Sequence, residues 1–386
     1  MNLAQRIRVL GERAGFGATV PQDNAIHLRA AVDWLRRAQD ATADDGVAQA
    51  WFVLRDQWAP SYPETTGYII PTLYRYAAVY GDADAGARAR RMTDWECAIQ
   101  LPDGGVVAGA LGDCEQPTVF NTGQVLFGWV RAFEVEGDAR YRAAASRAAD
   151  WLCAAQDADG CWRRFGSPLT SRHINTYNTR TAWALARAYE LSGDERYLGA
   201  AVRNCEWALT QRNDRGWLAG NCLQDDTQPY VHTIAYAMRG LLEVGVIAGR
   251  DEFIAAACRI GAAVLERLPD DGRLPGRFDA AWRPTVRYSC LTGNAQMAVN
   301  WGRVFQLQGG EEFRAGVRTL NCFLKTTQAL TGNDAERGGI KGSHPINGGY
   351  HPWQYPNWAA KYFVDALMME DALDPATPGP VSSFYG

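Results

Sequence analysis

No stretch of this sequence approaches the ~20 consecutive apolar residues that a membrane span requires, and its opening, MNLAQRIRVLGERAG, has no apolar core of signal-peptide length. No membrane partner is expected, and a cytoplasmic location is. The nine Cys are scattered without CxxC pairs, and their odd number suits reduced, mostly buried thiols better than a disulfide framework. No Cys/His cluster has the spacing of a zinc site, so neither a metal nor a cofactor is expected. A net charge of −4 with no Lys/Arg-rich stretch argues against a nucleic-acid surface. What remains, with 47% hydrophobic and 21% charged residues, is a chain able to bury a large core.

The sequence does contain a repeat. Asp33-Trp34, Asp94-Trp95, Asp150-Trp151 and Glu206-Trp207 are four acidic-Trp pairs, each followed four or five residues after the Trp by Gln39, Gln100, Gln156 or Gln211. Trp95, Trp151 and Trp207 are spaced 56 residues apart, and a fixed period of that size marks one supersecondary unit copied around a ring or along a solenoid. Aligning on these pairs exposes a second series at 64–82, 120–138, 177–194, 231–249 and 290–310. Each segment opens near a Thr or Asn suited to N-capping, is apolar on most faces and stops at Gly, the pattern of a buried helix. A more one-sided pattern follows at 139–156 and 195–211, with counterparts near 26–39, 84–100, 251–267 and 311–328, the pattern of outer helices. A final inner helix is read at 355–371, giving six outer and six inner helices.

Because the chain starts with an outer helix and ends with an inner one, its two ends supply the halves of one hairpin and close the ring. The expected fold is all-α, an (α/α)6 toroid forming one domain over 1–386, with the repeats at about 26–372. The Trp residues are expected to pack outer helices on inner ones, the preceding acids to be solvated, and Gln156 in QDADGCW to tie one outer helix to the next. Inner-to-outer turns are short, whereas the links at 101–118, 157–175, 212–230, 268–289 and 329–354 run to roughly twenty residues, a length usually functional. All of them fall on one rim, together with the inner-helix N-termini, whose free N–H groups favour an anion.

Reading across the inner-helix starts gives a ring of candidates. It holds Glu64 with Tyr62; Asn121; His173, Asn175, Tyr177, Asn178 and Arg180; His232; Tyr288, Thr292 and Asn294; and Tyr355 with Asn357. Histidine is scarce, and four of the five (His173, His232, His344 and His351) lie in or beside the rim loops, while His27 opens the first outer helix. The densest cluster is SRHINTYNTR at 171–180. The loop IKGSHPINGGYHPWQYPNW at 340–358 offers Trp353 and Tyr355 as sugar-stacking faces, with Lys341 or His344 to meet a carboxylate. A glycosidase needs two acids ~5–9.5 Å apart. Asp225-Asp226, followed by His232, is the most suggestive pair, whereas Glu64 reads as a plain charge at a helix N-terminus.

On its repeat, the chain resembles the (α/α)6-toroid carbohydrate enzymes: polysaccharide lyases, unsaturated glucuronyl hydrolases and sugar epimerases. The QxxxGxW form of 156–162 also occurs in triterpene cyclases, but their DxDD protonation motif is missing. The resemblance implies an acidic poly- or oligosaccharide substrate. It also implies a lyase in which Asn and Arg donors suppress a uronate charge while Tyr or His removes the adjacent proton. Tyr177 is the first choice for base and His232 the second, with His173 and Arg180 beside them and Asn175 and Asn178 binding the carboxylate. A glycoside hydrolase using Asp226, a uronyl epimerase and a non-catalytic glycan-binding toroid are the alternatives.

Overall fold

The structure is a computed structural model that describes residues 1–168, 170 and 174–374. Helix α1 (Leu3–Ala14) precedes the repeats. The outer helices are α2 (Asn24–Asp40), α4 (Ala83–Ile99), α6 (Ala139–Ala155), α8 (Glu195–Thr210), α10 (Asp251–Leu265) and α12 (Glu311–Thr327). The inner helices are α3 (Pro63–Tyr80), α5 (Val119–Glu136), α7 (Thr179–Ser192, entered through a 3-10 turn at Thr176–Asn178), α9 (Val231–Ala248), α11 (Leu291–Gln308) and α13 (Asn357–Ala372). The boundaries agree with the repeat to within a few residues. Gly81, Gly137 and Gly193 end their inner helices at φ 67°, 70° and 73°. The Asp that follows each one caps the next outer helix through its side chain, which explains the Gly-Asp pairs.

The inner helices touch in the cyclic order α3, α5, α7, α9, α11, α13 and back to α3, and α13 packs against α2. The ring is therefore closed by the first outer and last inner helix. At the seam, Asn357 Nδ2 donates to Ala48 O at 3.0 Å and to Thr65 Oγ1 at 2.8 Å. Inner helices approach almost backbone to backbone. A Cβ at Gly67 would lie 2.5 Å from Val125 Cα, and one at Gly240 would lie 2.2 Å from the Thr179 carbonyl carbon.

The structure adds contacts to the acidic-Trp repeat, whose acids stay partly exposed as expected. Each Trp supports the rim loop of the preceding hairpin. Trp95 meets Gly46, Trp151 meets Gly105 and donates to Asp103 Oδ2 at 3.1 Å, Trp207 clusters with Cys161, and Trp34 donates to Ala335 O at 2.8 Å across the seam. The acids reach forward to the next hairpin. Asp94 and Asp150 accept from Tyr141 and Tyr197 at 3.0 Å each, and Glu206 pairs with Arg250 at 2.9 Å. Gln100 and Gln156 behave as expected: each donates to its own following loop and to a carbonyl of the next outer helix, Ala144 or Ala200.

Short strands bind the rim loops to each other, and periodicity gave no sign of them. β1 (Ala50–Phe52) pairs with β2 (Gln57–Trp58) and with β5 (Gln354–Pro356), while β3 (Ser289–Cys290) pairs with β4 (Ser343–His344). Helix α1, also unforeseen, is tied to the rim through Arg8 to Glu336 and Tyr355, and through Glu12 to Lys341 at 2.8 Å.

Candidate active site

Pro63 occupies the first turn of α3, where its missing N–H costs nothing, and this places Glu64 one residue into the helix, facing the ring axis. Together with Phe120 at the start of α5, Tyr177 in the 3-10 turn, His232 at the start of α9, and Tyr350 and His351 in the loop before α13, it surrounds a cavity of about 230 Å³. Tyr68, Tyr236 and Trp358 complete an aromatic wall. At about 30 Å³ per water this space holds roughly eight waters, the bulk of one sugar ring.

Glu64 is the single carboxylate lining this cavity among the described residues. Tyr62 Oη donates to its Oε2 at 2.6 Å. Burial pushes the carboxyl up to about 7, opposed by the Tyr62 hydrogen bond and by the charge of Arg180. It is thus poised to give or take a proton near neutrality, and is not the plain helix charge the sequence indicated.

Two imidazoles face the same space. His232 Nδ1 meets Gln296 Oε1 at 2.9 Å and His351 Nδ1 meets Gln354 Oε1 at 3.1 Å. Both amide oxygens are acceptors, so each ring carries its proton on Nδ1 and leaves the Nε2 lone pair for a ligand. Burial lowers His232 to about 3, with the His351 and Arg180 charges adding to the effect against the Gln296 bond, and burial also lowers His351. Both rings are neutral at pH 7. His351 sits at φ 45° and Trp353 at φ 59°, left-handed backbone that costs about 1–3 kcal/mol in a non-glycine residue and clusters at active sites. The ring of Trp358 lies 4.8 Å from that of His351, and its Nε1 donates to Tyr350 Oη at 2.9 Å.

Of the residues anticipated from the sequence, Tyr62, Glu64, Tyr177, His232 and His351 meet here. Tyr177 Oη donates to the Asn175 amide oxygen at 3.2 Å, and Asn175 donates to Cys222 O and Ile174 O. Burial raises the Tyr177 phenol, and the charges of Glu64 and Cys222 add to this. Arg180 lies below the floor instead of lining the cavity. Its Nε donates to Gln124 Oε1 at 2.6 Å, and Tyr68, Phe127, Trp183, Tyr236 and Tyr362 surround its guanidinium at 5.0 to 5.9 Å. His173 lies outside the described residues.

The other expected residues serve elsewhere. Asn121 donates to Val107 O, and Asn178 and Asn294 are buried away from the cavity wall. Asp226 accepts from Cys222 Sγ at 2.6 Å, Asp225 holds Thr227 and Gln228, and neither acid lines the Glu64 cavity. Lys341 is paired with Glu12, and Tyr355 is engaged by Arg8 and Glu336. Trp353 packs against the core, while Tyr288 and His344 line a separate cavity. The loop at 340–358 does build the wall, but through Tyr350, His351 and Trp358. Among the described residues no Lys or Arg lines the Glu64 cavity, and no group of three His, Cys, Asp or Glu could hold a metal.

Comparison with known proteins is consistent with this architecture. Residues 22–267 match the family model described as beta-L-arabinofuranosidase, GH127 catalytic domain. No curated protein matches the sequence. Among solved structures, the sugar epimerase from a ruminal bacterium is similar with a TM-score of 0.73 at 13% identity, over 91% of this chain and 98% of that one. The cellobiose 2-epimerase from Bacillus thermoamylovorans B4167 gives 0.71 at 10% identity, over 96% and 100%. The unsaturated glucuronyl hydrolase from Bacillus sp. GL1, responsible for the degradation of glycosaminoglycan, gives 0.68 at 17% identity, over 89% and 96%. These likenesses establish the (α/α)6 toroid.

Proposed function

The chain belongs to the beta-L-arabinofuranosidase GH127 catalytic-domain family, and we propose that it is a glycoside hydrolase that removes a terminal, uncharged sugar from a glycan in the Glu64 cavity. The observation that carries this reading is Glu64 itself: a buried carboxyl raised to about 7, hydrogen-bonded by Tyr62, in an aromatic cavity the size of one sugar ring. Protonated Glu64 is the general acid. Its proton passes to the glycosidic oxygen as the bond from that oxygen to the anomeric carbon breaks. Water adds to the same carbon and gives its proton to the neutral Nε2 of His351. Solvent then returns a proton from the imidazolium to Glu64. His232, held neutral, supplies an acceptor for a sugar hydroxyl at Nε2, and the Tyr177 oxygen, whose proton is given to Asn175, supplies a second.

A uronate in this cavity would meet no cation on the described wall, which is why hydrolysis of a neutral sugar is favoured over β-elimination. A second reading, epimerisation, is favoured by the two neutral imidazoles, because proton removal from and return to a C–H bond needs two such groups. Incubation with a panel of aryl and disaccharide glycosides, arabinofuranosides included, separates the two readings. Hydrolysis releases the aglycone and leaves 18O from labelled water in the sugar. Epimerisation puts solvent deuterium on carbon and creates no new reducing end. Glu64→Gln is expected to lower kcat by about 10²–10⁴.

A further inference from the structure

A second cavity, of about 480 Å³, opens on the same rim beside the Glu64 site. Arg13 from the end of α1, Arg273 and Arg287 from the loop between α10 and α11, and His344 from β4 line it, and among the described residues no carboxylate does. Arg273 is held loosely by Asp271 at 3.4 Å, in the open. The nearest acid of α1, Glu12, is already bound to Lys341 at 2.8 Å. His344 is the least exposed of the four, with its side chain 11% exposed. Neither of its ring nitrogens has a hydrogen-bond partner, and Glu12 Oε2 lies 3.9 Å from Nδ1, beyond bonding reach. Unsatisfied polar atoms at the back of a basic cavity are costly unless a ligand completes them.

The two cavities share one thin wall. Tyr350 and His351 line the Glu64 side while Gly348 and Gly349, from the same loop, line the basic side. Tyr230 Oη donates to Gly349 O at 2.7 Å, its ring lies 5.1 Å from that of Tyr350, and the guanidinium of Arg277 stacks on it at 3.7 Å. A Cβ at Gly348 would lie 2.6 Å from Ser343 Cβ and 2.8 Å from Tyr288 Cβ, and one at Gly349 2.8 Å from Tyr288 Oη, so the wall is kept narrow by the absence of side chains.

We propose that this basic cavity binds an anionic substituent (carboxylate, sulfate or phosphate ester) of a glycan whose terminal uncharged sugar occupies the Glu64 cavity. The inference rests on the reading of the Glu64 cavity as a sugar site. It moves recognition of the acidic group away from the inner-helix N-termini to guanidinium groups, whose planar forks suit such oxyanions.

The test is nuclear magnetic resonance of the imidazoles in the full chain. Inorganic phosphate should shift the His344 ring resonances saturably and leave those of His232 in place. The Arg13→Gln/Arg287→Gln double variant should weaken this binding about ten-fold or more, as loss of charge-assisted hydrogen bonds predicts. A neutral disaccharide capped with glucuronate should move His344 and His232 with one midpoint. If phosphate leaves His344 unmoved, or the double variant titrates like the parent, the basic site is refuted. If phosphate moves His344 while the capped disaccharide moves His232 alone, the cavity holds free oxyanions and the glycan assignment is refuted. Failure of glycoside hydrolysis with both imidazole responses intact would count against the hydrolase reading and not against this one.

Discussion

At the scale of the residue, the proposed chemistry rests on Glu64. A carboxyl raised on folding from 4.5 to about 7 binds its proton more tightly in the folded chain than in the unfolded one. Its stabilising contribution is therefore complete below about pH 4.5 and is lost as pH rises through about 7. Relative to Glu64→Gln, the parent should lose up to about 3 kcal/mol across that window in urea titrations. An identical pH dependence in the two proteins would show that Glu64 is not raised. The Tyr62 hydrogen bond pulls Glu64 down, so Tyr62→Phe should move the basic limb of the kcat/KM profile upward. The sequence led to the residue and read it as a plain helix charge. An acid in the first turn of a helix looks like a dipole partner, and only the closing of the ring around YPET reveals its burial. Within 340–358 the inward-facing Tyr350, His351 and Trp358 could not be singled out, because left-handed backbone at His351 and Trp353 leaves no periodic trace.

At the scale of the element, the repeat gave nearly all the helices, because inner helices must be apolar on most faces and outer ones on a single face. It could not give helix α1 or the β1–β5 pairing, which occur once each and leave no periodic trace. It also left open what the acidic-Trp-Gln positions bind. The structure shows a two-way clasp, in which Trp151 supports the loop of the preceding hairpin while Gln156 and Asp150 reach the next one. Gln156→Ala, which strips a partner from the Gly160 and Ala200 carbonyls, should cost about 1–3 kcal/mol in urea denaturation. A change within error would assign the clasp to the Trp and Asp alone.

At the scale of the molecule, closure is what creates a site at all. The cavity draws on α3, α5, the 3-10 turn, α9 and the loop entering α13, so no single hairpin contains it. Because α13 packs on both α2 and α11, a chain ended before Asn357 should lose cooperative thermal unfolding and bind hydrophobic dyes. A sharp transition in that shortened chain would mean that the ring does not depend on its seam. The basic cavity beside the Glu64 site is likewise assembled from distant segments, α1, the loop between α10 and α11, and β4. The central claim is hydrolysis at Glu64, and it is tested most directly by following glycosides in 18O-labelled water with the parent chain and Glu64→Gln. The account predicts 18O in the released sugar for the parent and a loss of about 10²–10⁴ in the variant. Full activity in Glu64→Gln, or sugar converted with no 18O and no new reducing end, would contradict it.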